Sequence, residues 1–347
     1  LNWTLKKMKT TLDKAAPMIE GFIQANVPVN LMGSPGLGKS DVIKQVAKKL
    51  GLKVIDFRLS TADPTDLTGL PFIENGRSVF LPNVAFPIET DPVPEGYKGW
   101  LLFLYEITNA PMAVQAAAYK LILDREVGLH SLHPQVKIVS AGNLIDDGAA
   151  VTGEMSTALK SRMAHINIEI SIDAWLDWAL TAGIHHSVTS FIKFKPTMLY
   201  QFDPKVEADT FPCPRTWGMV SSVIDAIGLN SPAALQILSA TISDGPATEF
   251  VNYCKNFVGL PTYQDIIKDP LGTPIPEGMS TMYALSGSIG AQTKKESVDK
   301  VMQYVERMPK EFQLRTFNDF TKRDPTLVTV GAVREWLVSN AKHLLRD

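Results

Sequence analysis

The chain has 347 residues, which exceeds the size at which one hydrophobic core stops growing, so two domains are expected. Its 45% apolar and 20% charged residues are typical of a globular protein, and its net charge of -2 gives no overall sign of binding to nucleic acid or to a membrane surface. No apolar stretch approaches the ~20 residues that span a bilayer. The spacing of Cys213 and Cys254 is unlike that of metal ligands, so both are expected to be free thiols in a reducing cytosol.

Short apolar runs alternate with helical runs up to about Ile170. Before them, residues 1–23 mix lysines with apolar residues, which favours an amphipathic helix over a signal peptide. Strands are predicted at Val29–Met32, Lys53–Leu59, Trp100–Tyr105, Val136–Ala141 and His165–Ile170. Helices are predicted at Lys39–Leu50, Ala113–Leu123 and Thr152–Ser161. This alternation predicts a parallel sheet covered by helices on both faces.

The segment from Asp63 to Gly99 interrupts the alternation. It is rich in Pro, Gly and Asp and is too long for a plain connection in a compact domain. Within it, apolar residues flank Asn75-Gly76, which is the strongest short signal for a β-hairpin. We therefore expect an inserted hairpin at about Leu70 to Leu81, followed by a surface loop.

After Ile170 the strand signals stop and apolar residues recur at helical spacing, between Pro and Gly breaks. Helices are predicted in the segments IDAWLDWALTAG, PAALQILSATI, ATEFVNYCKNFV, KESVDKVMQYVERM and TVGAVREWLVSNAKHLL. The chain is therefore expected to form an α/β domain over residues 1–170, with the insert at about 63–99, and a helical region over residues 171–347.

Residues 33–40, GSPGLGKS, match the phosphate-binding pattern G-x-x-x-x-G-K-[ST] in full, between a strand and a helix. The pattern predicts that backbone N–H groups surround the β-phosphate of a nucleotide, that Lys39 reaches the β- and γ-phosphates and that Ser40 binds Mg²⁺. The predicted nucleotide-binding residues are Gly33, Ser34, Pro35, Gly36, Leu37, Gly38, Lys39 and Ser40. The alternative is a glycine-rich turn with a surface lysine.

The strand Trp100–Tyr105 is expected to end at the metal ligand. Phosphate-loop enzymes place an aspartate at the end of another buried strand to hold Mg²⁺, and in one large branch a glutamate follows and polarises the attacking water. Here Glu106 has the position of the base, but Tyr105 has that of the metal ligand. A neutral tyrosine does not supply the charge that Mg²⁺ prefers. Tyr105 therefore indicates a weakened ATPase, a β-forming residue at a strand end, or both.

Asn143 follows another predicted strand, at the edge where parallel sheets present ligand groups. Its amide is predicted to orient the water opposite Glu106, and an asparagine in a turn is the alternative. Asp63 and Asp66 also follow a strand and could replace the missing carboxylate, although we expect Asp66 to cap a turn or helix instead.

Taken together, these segments resemble AAA+ ATPases, specifically the MoxR family (AAA_5-like). GSPGLGKS resembles the Walker A segment, VSAGN resembles sensor 1, and LYEITNAPMAVQAAAYKLILDREVG resembles the Walker B segment, which in the family carries Asp-Glu. ALKSRMAHINI resembles the segment that carries the arginine finger, which indicates Arg162, and PCPRTW resembles the sensor 2 segment, which indicates Arg215. The resemblance extends from about Ala25 to Trp217.

The resemblance implies an AAA+ fold, in which the P-loop sheet with its inserted hairpin is followed by an α-helical lid domain and a helical C-terminal extension. It implies ATP and Mg²⁺ as cofactors and Glu106, Asn143, Arg162 and Arg215 as catalytic residues. Arg162 would act on the γ-phosphate bound by a neighbouring subunit, and Arg215 would close the lid over the phosphate of its own subunit. The alternatives are a cation at a helix end and a surface arginine.

The resemblance also implies a cytoplasmic ring of identical subunits, expected to be a hexamer, without membrane contact. Such rings act as chaperone-like remodellers, often with a von Willebrand factor A domain partner; the client protein is not indicated. The hairpin would face the pore or the partner, or would be a surface ribbon. Tyr105 supports a second hypothesis, a hydrolysis-poor structural switch. The third, a DNA translocase, is disfavoured by the near-neutral charge and the lack of a basic-aromatic stripe.

Overall fold

A computed structural model describes residues 9–144, 155–206, 208–229, 231–255 and 259–344, with side chains described up to residue 340. The chain forms two compact units. The first comprises the residues up to Ser171 and a short segment that begins at Asp203; the second comprises Ile172–Phe202 and the chain from Ala208 onward. None of the described helices is long and apolar enough to cross a bilayer.

The first unit is built on a six-stranded parallel sheet. The strands of the unit are β1 (Lys9–Thr10), β2 (Val29–Met32), β3 (Lys53–Arg58), β4 (Leu70–Glu74), β5 (Arg77–Leu81), β6 (Trp100–Tyr105), β7 (Glu126–Val127), β8 (His130–Ser131), β9 (Val136–Gly142) and β10 (Ala164–Ile168). Its helices are α1 (Leu12–Gln24), α2 (Lys39–Leu50), α3 (Pro64–Thr68), α4 (Met112–Leu123) and α5 (Thr157–Lys160). The main sheet has the order β1-β10-β2-β9-β6-β3, and every neighbouring pair is parallel. The predicted sheet and the predicted hairpin are confirmed.

The strands β6 and β9 form the centre of the core, because their apolar side chains are covered on both faces. Leu101, Leu102, Phe103 and Leu104 of β6 have no exposed surface. This explains why an uninterrupted apolar run, rather than an alternating one, predicted the strand.

The register of the strands sets the position of the site. Met32 at the end of β2 pairs with Gly142 of β9, Tyr105 at the end of β6 pairs with Ala141, and Arg58 at the end of β3 pairs with Tyr105. The carboxyl ends of four strands therefore meet at one edge, and the groups that follow them are neighbours.

Several boundaries differ from the predictions. The strand predicted to end at Leu59 ends at Arg58, because Leu59 begins a 3₁₀ turn in which its side chain is fully buried. The helix predicted at Thr152–Ser161 is Thr157–Lys160, capped by the Ser156 hydroxyl, and residues 152–154 lie outside the described residues. The short pairs β1–β10 and β7–β8 were not predicted, because two residues carry no periodicity.

The second unit is helical, as predicted. Its helices are α6 (Ile172–Ala182), α7 (His186–Phe194), α8 (Pro214–Ile227), α9 (Ala234–Ile242), α10 (Asp244–Cys254), α11 (Tyr263–Lys268), α12 (Met279–Gln292), α13 (Val298–Val305), α14 (Lys310–Arg323) and α15 (Gly331–Leu344). Trp217 is fully buried among them, and its indole N–H donates to the Met198 carbonyl at 2.8 Å. Cys213 and Cys254 are free thiols, as predicted, and both are buried.

Helix α12 packs closely against α7 and α14 through its glycines. A Cβ at Gly287 would lie 2.9 Å from the Cβ of Ser190, and one at Gly290 would lie 2.7 Å from the Cβ of Asp319. Asp319 of α14 in turn forms a buried ion pair with Lys193 of α7, whose side chains are 8% and 9% exposed respectively. The small residues thus let α7 and α14 approach closely enough for a buried charge pair.

We predict that Asp319→Ala lowers the free energy of unfolding by about 3–5 kcal/mol, because it leaves the Lys193 ammonium buried without its carboxylate. The double variant Lys193→Met with Asp319→Leu is expected to regain most of this loss. Asp177→Ala, which removes a half-exposed ion pair with Lys322, is the matched control and is expected to change stability by less than about 1 kcal/mol. Urea unfolding followed by tryptophan fluorescence measures all three, and equal effects of the two single variants would contradict the prediction.

Candidate functional site

The predicted phosphate loop, Gly33–Ser40, leaves the end of β2 and enters α2 directly. Gly36 and Gly38 have positive φ angles of 78° and 96°, which L residues rarely adopt, so the loop curls into a concave turn of backbone amides. Gly33 is confined as well, since a Cβ there would lie 3.1 Å from the carbonyl oxygen of Ile168. The loop has the shape that holds an anion at a helix amino terminus.

Lys39 turns its buried side chain back over this loop. Its ammonium donates to the carbonyl oxygens of Gly33 at 2.5 Å and Ser34 at 2.9 Å, and to Oδ1 of Asn143 at 3.1 Å. The side chain is only 7% exposed. The structure thus brings together Lys39 and Asn143, two of the predicted site residues.

Asn143 is held in place by Thr108, which the sequence reasoning did not identify. The Asn143 N–H donates to the Thr108 hydroxyl at 3.2 Å, and Thr108 itself is buried. A Cβ at the adjacent Gly142 would lie 2.8 Å from two side-chain atoms of Thr108, so this position requires glycine for steric reasons. The arrangement fixes the Asn143 amide beside the Lys39 ammonium.

Glu106 follows β6 at the same edge, in a left-handed conformation with φ 59°. A non-glycine residue with positive φ is uncommon and is often associated with a functional constraint. Oε2 of Glu106 accepts a hydrogen bond of 2.5 Å from the hydroxyl of Ser60, which follows β3. Ser60 was also missed, although a polar residue just beyond the end of a neighbouring strand is a signal that could have indicated it. The hydrogen bond orients the carboxylate of the predicted base.

Tyr105, the residue at the predicted metal position, is half-buried at the end of β6. Its ring packs edge-on against Phe103 with centroids 5.5 Å apart, and the Arg58 guanidinium lies 5.4 Å from its centroid. The position is thus occupied by an aromatic side chain beside a cation. Both interpretations of Tyr105, a β-forming residue and a departure from metal binding, agree with this environment.

Asp63 and Asp66 act as a helix cap, as we expected for Asp66. Asp63 accepts from the N–H of Thr65 at 2.9 Å, and Asp66 accepts from the N–H of Asp63 at 2.9 Å, which together form a capping box for α3. The Thr65 hydroxyl, followed by the Thr65 N–H, lowers the pKa of Asp63 below its ordinary value. The two carboxylates are therefore engaged by their own backbone.

The structure does not bring Arg162 together with Lys39 and Glu106 of the same chain. Arg162 precedes β10, whose first residue Ala164 pairs with Val29, so it lies at the amino edge of the sheet, about 13 Å along β2 from the start of the phosphate loop. Its guanidinium donates to the Ala158 carbonyl at 3.2 Å, at the end of α5. It also lies 5.2 Å from the centroid of the Tyr119 ring.

A chain of polar side chains crosses the sheet towards the turn that holds Arg162. The buried Ser140 hydroxyl of β9 donates to Oδ1 of Asn30 on β2 at 2.7 Å, and the Asn30 amide contacts Nδ1 of His165 on β10 at 3.4 Å. His165 Nε2 bonds the Lys160 carbonyl oxygen at 2.8 Å. These contacts join the strand that precedes Asn143 to the turn at residues 160–162.

Arg215 lies in the second unit, in the first turn of α8. Pro214 occupies the first helical position, and the Thr216 hydroxyl caps the helix start by accepting from the N–H of Cys213 at 2.8 Å. The Arg215 side chain is exposed. Its predicted lid role remains a prediction.

The contact between Gly142 and Thr108 can be tested by a double-variant cycle. We predict that Gly142→Ala lowers the free energy of unfolding by about 1–3 kcal/mol, because the new methyl group overlaps Thr108. In a Thr108→Ala background the same change is expected to cost less than about 0.5 kcal/mol. Urea unfolding measures both, and equal costs in the two backgrounds would show that Thr108 does not confine this position.

Comparison with known proteins gives one family match and several distant structural likenesses. Residues 28–163 match the model of the AAA domain of the dynein-related subfamily. No curated protein sequence matches the chain significantly. Similar solved structures include a proposed ATPase of Cytophaga hutchinsonii (12% identity, TM-score 0.38, covering 96% of this chain and 90% of that one). They also include NtrX of Brucella abortus in complex with ADP (15% identity, TM-score 0.39, covering 97% and 70%) and a RuvB variant of Thermotoga maritima (17% identity, TM-score 0.39, covering 82% and 87%).

The structural likenesses are too distant to carry an argument about function, whereas the domain match covers the strands β2, β3, β6 and β9 and the groups at their ends. The predicted fold class, an AAA+ α/β unit followed by a helical part, is confirmed. Residues 28–163 of the first unit are thus similar to the AAA domain of the dynein-related subfamily.

Proposed function

We propose that the chain binds ATP at Gly33–Ser40 and hydrolyses it as one subunit of a ring. The observation that carries the proposal is the convergence of Lys39, Asn143 and the Ser60-oriented Glu106 at one edge of the sheet. A cation, an amide and a carboxylate are the groups needed to hold a γ-phosphate and to activate a water beside it.

In this mechanism water attacks the γ-phosphorus while the bond to the β–γ bridging oxygen breaks, which yields ADP and phosphate. Glu106 accepts a proton from the water, and the Asn143 amide orients that water. Lys39 offsets the negative charge of the β- and γ-phosphates, in a site whose burial strengthens the interaction. Arg215 of the second unit is proposed to contact the γ-phosphate when the lid closes.

The residues present do not fit a protein-held Mg²⁺ ion. Ser40 offers one neutral hydroxyl at the start of α2, but the position expected to supply a carboxylate holds Tyr105, with the Arg58 guanidinium beside it. Mg²⁺ prefers carboxylate and phosphate oxygens and is disfavoured next to a cation. No step of the proposed mechanism therefore uses a metal ion bound by the chain.

The biological role that we propose is that of a MoxR-type remodeller, working as a ring, expected to be a hexamer, on a partner protein. A partner with a von Willebrand factor A domain is part of this proposal. The exposed hairpin supports a docking role, because Leu70, Phe72 and Ile73 are 64%, 53% and 75% exposed. Tyr105 favours a second candidate function, in which the ring binds ATP as a structural switch and hydrolyses it poorly.

The role of Glu106 distinguishes the two candidates. We predict that Glu106→Gln lowers kcat for ATP hydrolysis by about 10²–10⁴-fold, because the amide does not accept the proton, while the Kd for ATP changes little. Glu95→Gln, an exposed glutamate of the same unit, is the control. Steady-state phosphate release and a fluorescent nucleotide titration measure both quantities. Robust turnover that Glu106→Gln abolishes would exclude the switch, and negligible turnover of the unaltered chain would support it.

The location of Arg162 supports a role on the neighbouring subunit, since it lies at the edge opposite its own phosphate loop. We predict that Arg162→Ala and Glu106→Gln are each inactive alone, and that mixing them restores part of the ATPase activity. Mixed interfaces pair an intact Glu106 with an intact Arg162 from the next subunit. Arg334→Ala, an exposed arginine of α15, is the control and is expected to remain active alone. Absence of recovery on mixing would contradict action in trans.

A further inference from the structure

A cation lies beside the end of β6, where the fold calls for a metal-binding carboxylate. Arg58 and Tyr105 are paired residues of adjacent parallel strands, so their side chains leave the sheet side by side. The guanidinium lies 5.4 Å from the centre of the Tyr105 ring, within the range of a cation–π contact. This contact holds a permanent cation beside the position of the expected metal-binding carboxylate.

The Arg58 guanidinium remains available to an anionic ligand. Arg58 is exposed, and the part of the chain that the structure describes shows no carboxylate in an ion pair with it. When a guanidinium contacts an aromatic ring through its carbon, its N–H groups still point outward in the guanidinium plane. There they donate hydrogen bonds to phosphate oxygens. The permanently charged arginine thus has free donors at the edge where the phosphate loop opens.

Other acidic groups do not restore a metal site. Asp63 and Asp66 accept hydrogen bonds from the backbone of their own turn. Among the described residues, no group of three or more His, Cys, Asp or Glu side chains could hold a metal ion. Among the described residues at this edge, the remaining candidate ligands are the Ser40 hydroxyl and the Glu106 carboxylate, and Glu106 already accepts the hydrogen bond of the Ser60 hydroxyl.

We infer that this site recognises a nucleoside triphosphate largely without divalent metal, and that Arg58 supplies, with Lys39, the positive charge that Mg²⁺ supplies elsewhere. The inference rests on the proposed ATP site and deepens it. The ligand class is a nucleoside triphosphate whose polyphosphate charge is offset by a guanidinium and an ammonium. Tyr105 is a positioning residue in this arrangement, because it holds Arg58 through its ring.

Titration of the full chain with a fluorescent N-methylanthraniloyl derivative of ATP, in excess Mg²⁺ and in excess EDTA, tests the inference. For the unaltered chain, the two Kd values are expected to agree within about threefold. Arg58→Ala is expected to weaken binding in EDTA by about tenfold or more, and Tyr105→Asp to give binding that prefers Mg²⁺ by about tenfold. Tyr105→Phe, which keeps the ring, and Arg77→Ala, an exposed arginine of β5, are expected to bind as the unaltered chain does.

Tyr105→Phe and Arg58→Ala keep the test decisive if Tyr105→Asp does not fold, which thermal melting by circular dichroism would reveal. Binding that requires Mg²⁺ in the unaltered chain, or an Arg58→Ala variant with unchanged Kd in EDTA, would overturn the inference and leave the proposed ATP site standing. Absence of binding under both conditions would instead overturn the proposed function, and this inference with it.

Discussion

The parallel register of β2, β9, β6 and β3 determines where each group of the site lies. Because Met32, Gly142, Tyr105 and Arg58 end strands in step, the residues that follow these strands share one edge. A slip of β3 by one residue against β6 would turn the side chains of β3 to the opposite face and separate Arg58 from Tyr105. The apolar core that holds this register, especially the buried residues Leu101–Leu104 of β6, therefore also positions the groups of the site.

Much of the first unit could be predicted because its signals are local. The glycine-rich loop, the apolar strands and Asn75-Gly76 each specify their own conformation from a few adjacent residues. Thr108 and Arg58 carry no comparable signal, because their roles arise from neighbours far away in the sequence, and Ser60 carried only its place just beyond a strand end. Which side chain lies beside Tyr105 depends on strand register, and a single sequence does not give register.

Sequence-based prediction of the second unit is limited in the same way, although this unit is helical. The helix α12 was missed because its sequence, rich in Gly, Ser and Ala, has no amphipathic stripe. Its small residues serve close approach to α7 and α14, and that requirement is visible only once the three helices are assembled. α14 was missed because it is strongly polar, and its one buried carboxylate, Asp319, finds its partner more than a hundred residues away.

The fixed conformation of the Lys39 side chain affects the rate and the affinity of ligand binding. Its ammonium is already dehydrated and bound to the Gly33 and Ser34 carbonyls and to Asn143, so folding rather than binding bears the cost of removing its water. A phosphate that enters exchanges partners with an ordered cation and does not have to freeze a mobile side chain. Such preorganisation limits the entropy lost on binding. When the Lys39 ammonium binds the phosphate, it gives up its hydrogen bond to Asn143, and the Asn143 side chain is released.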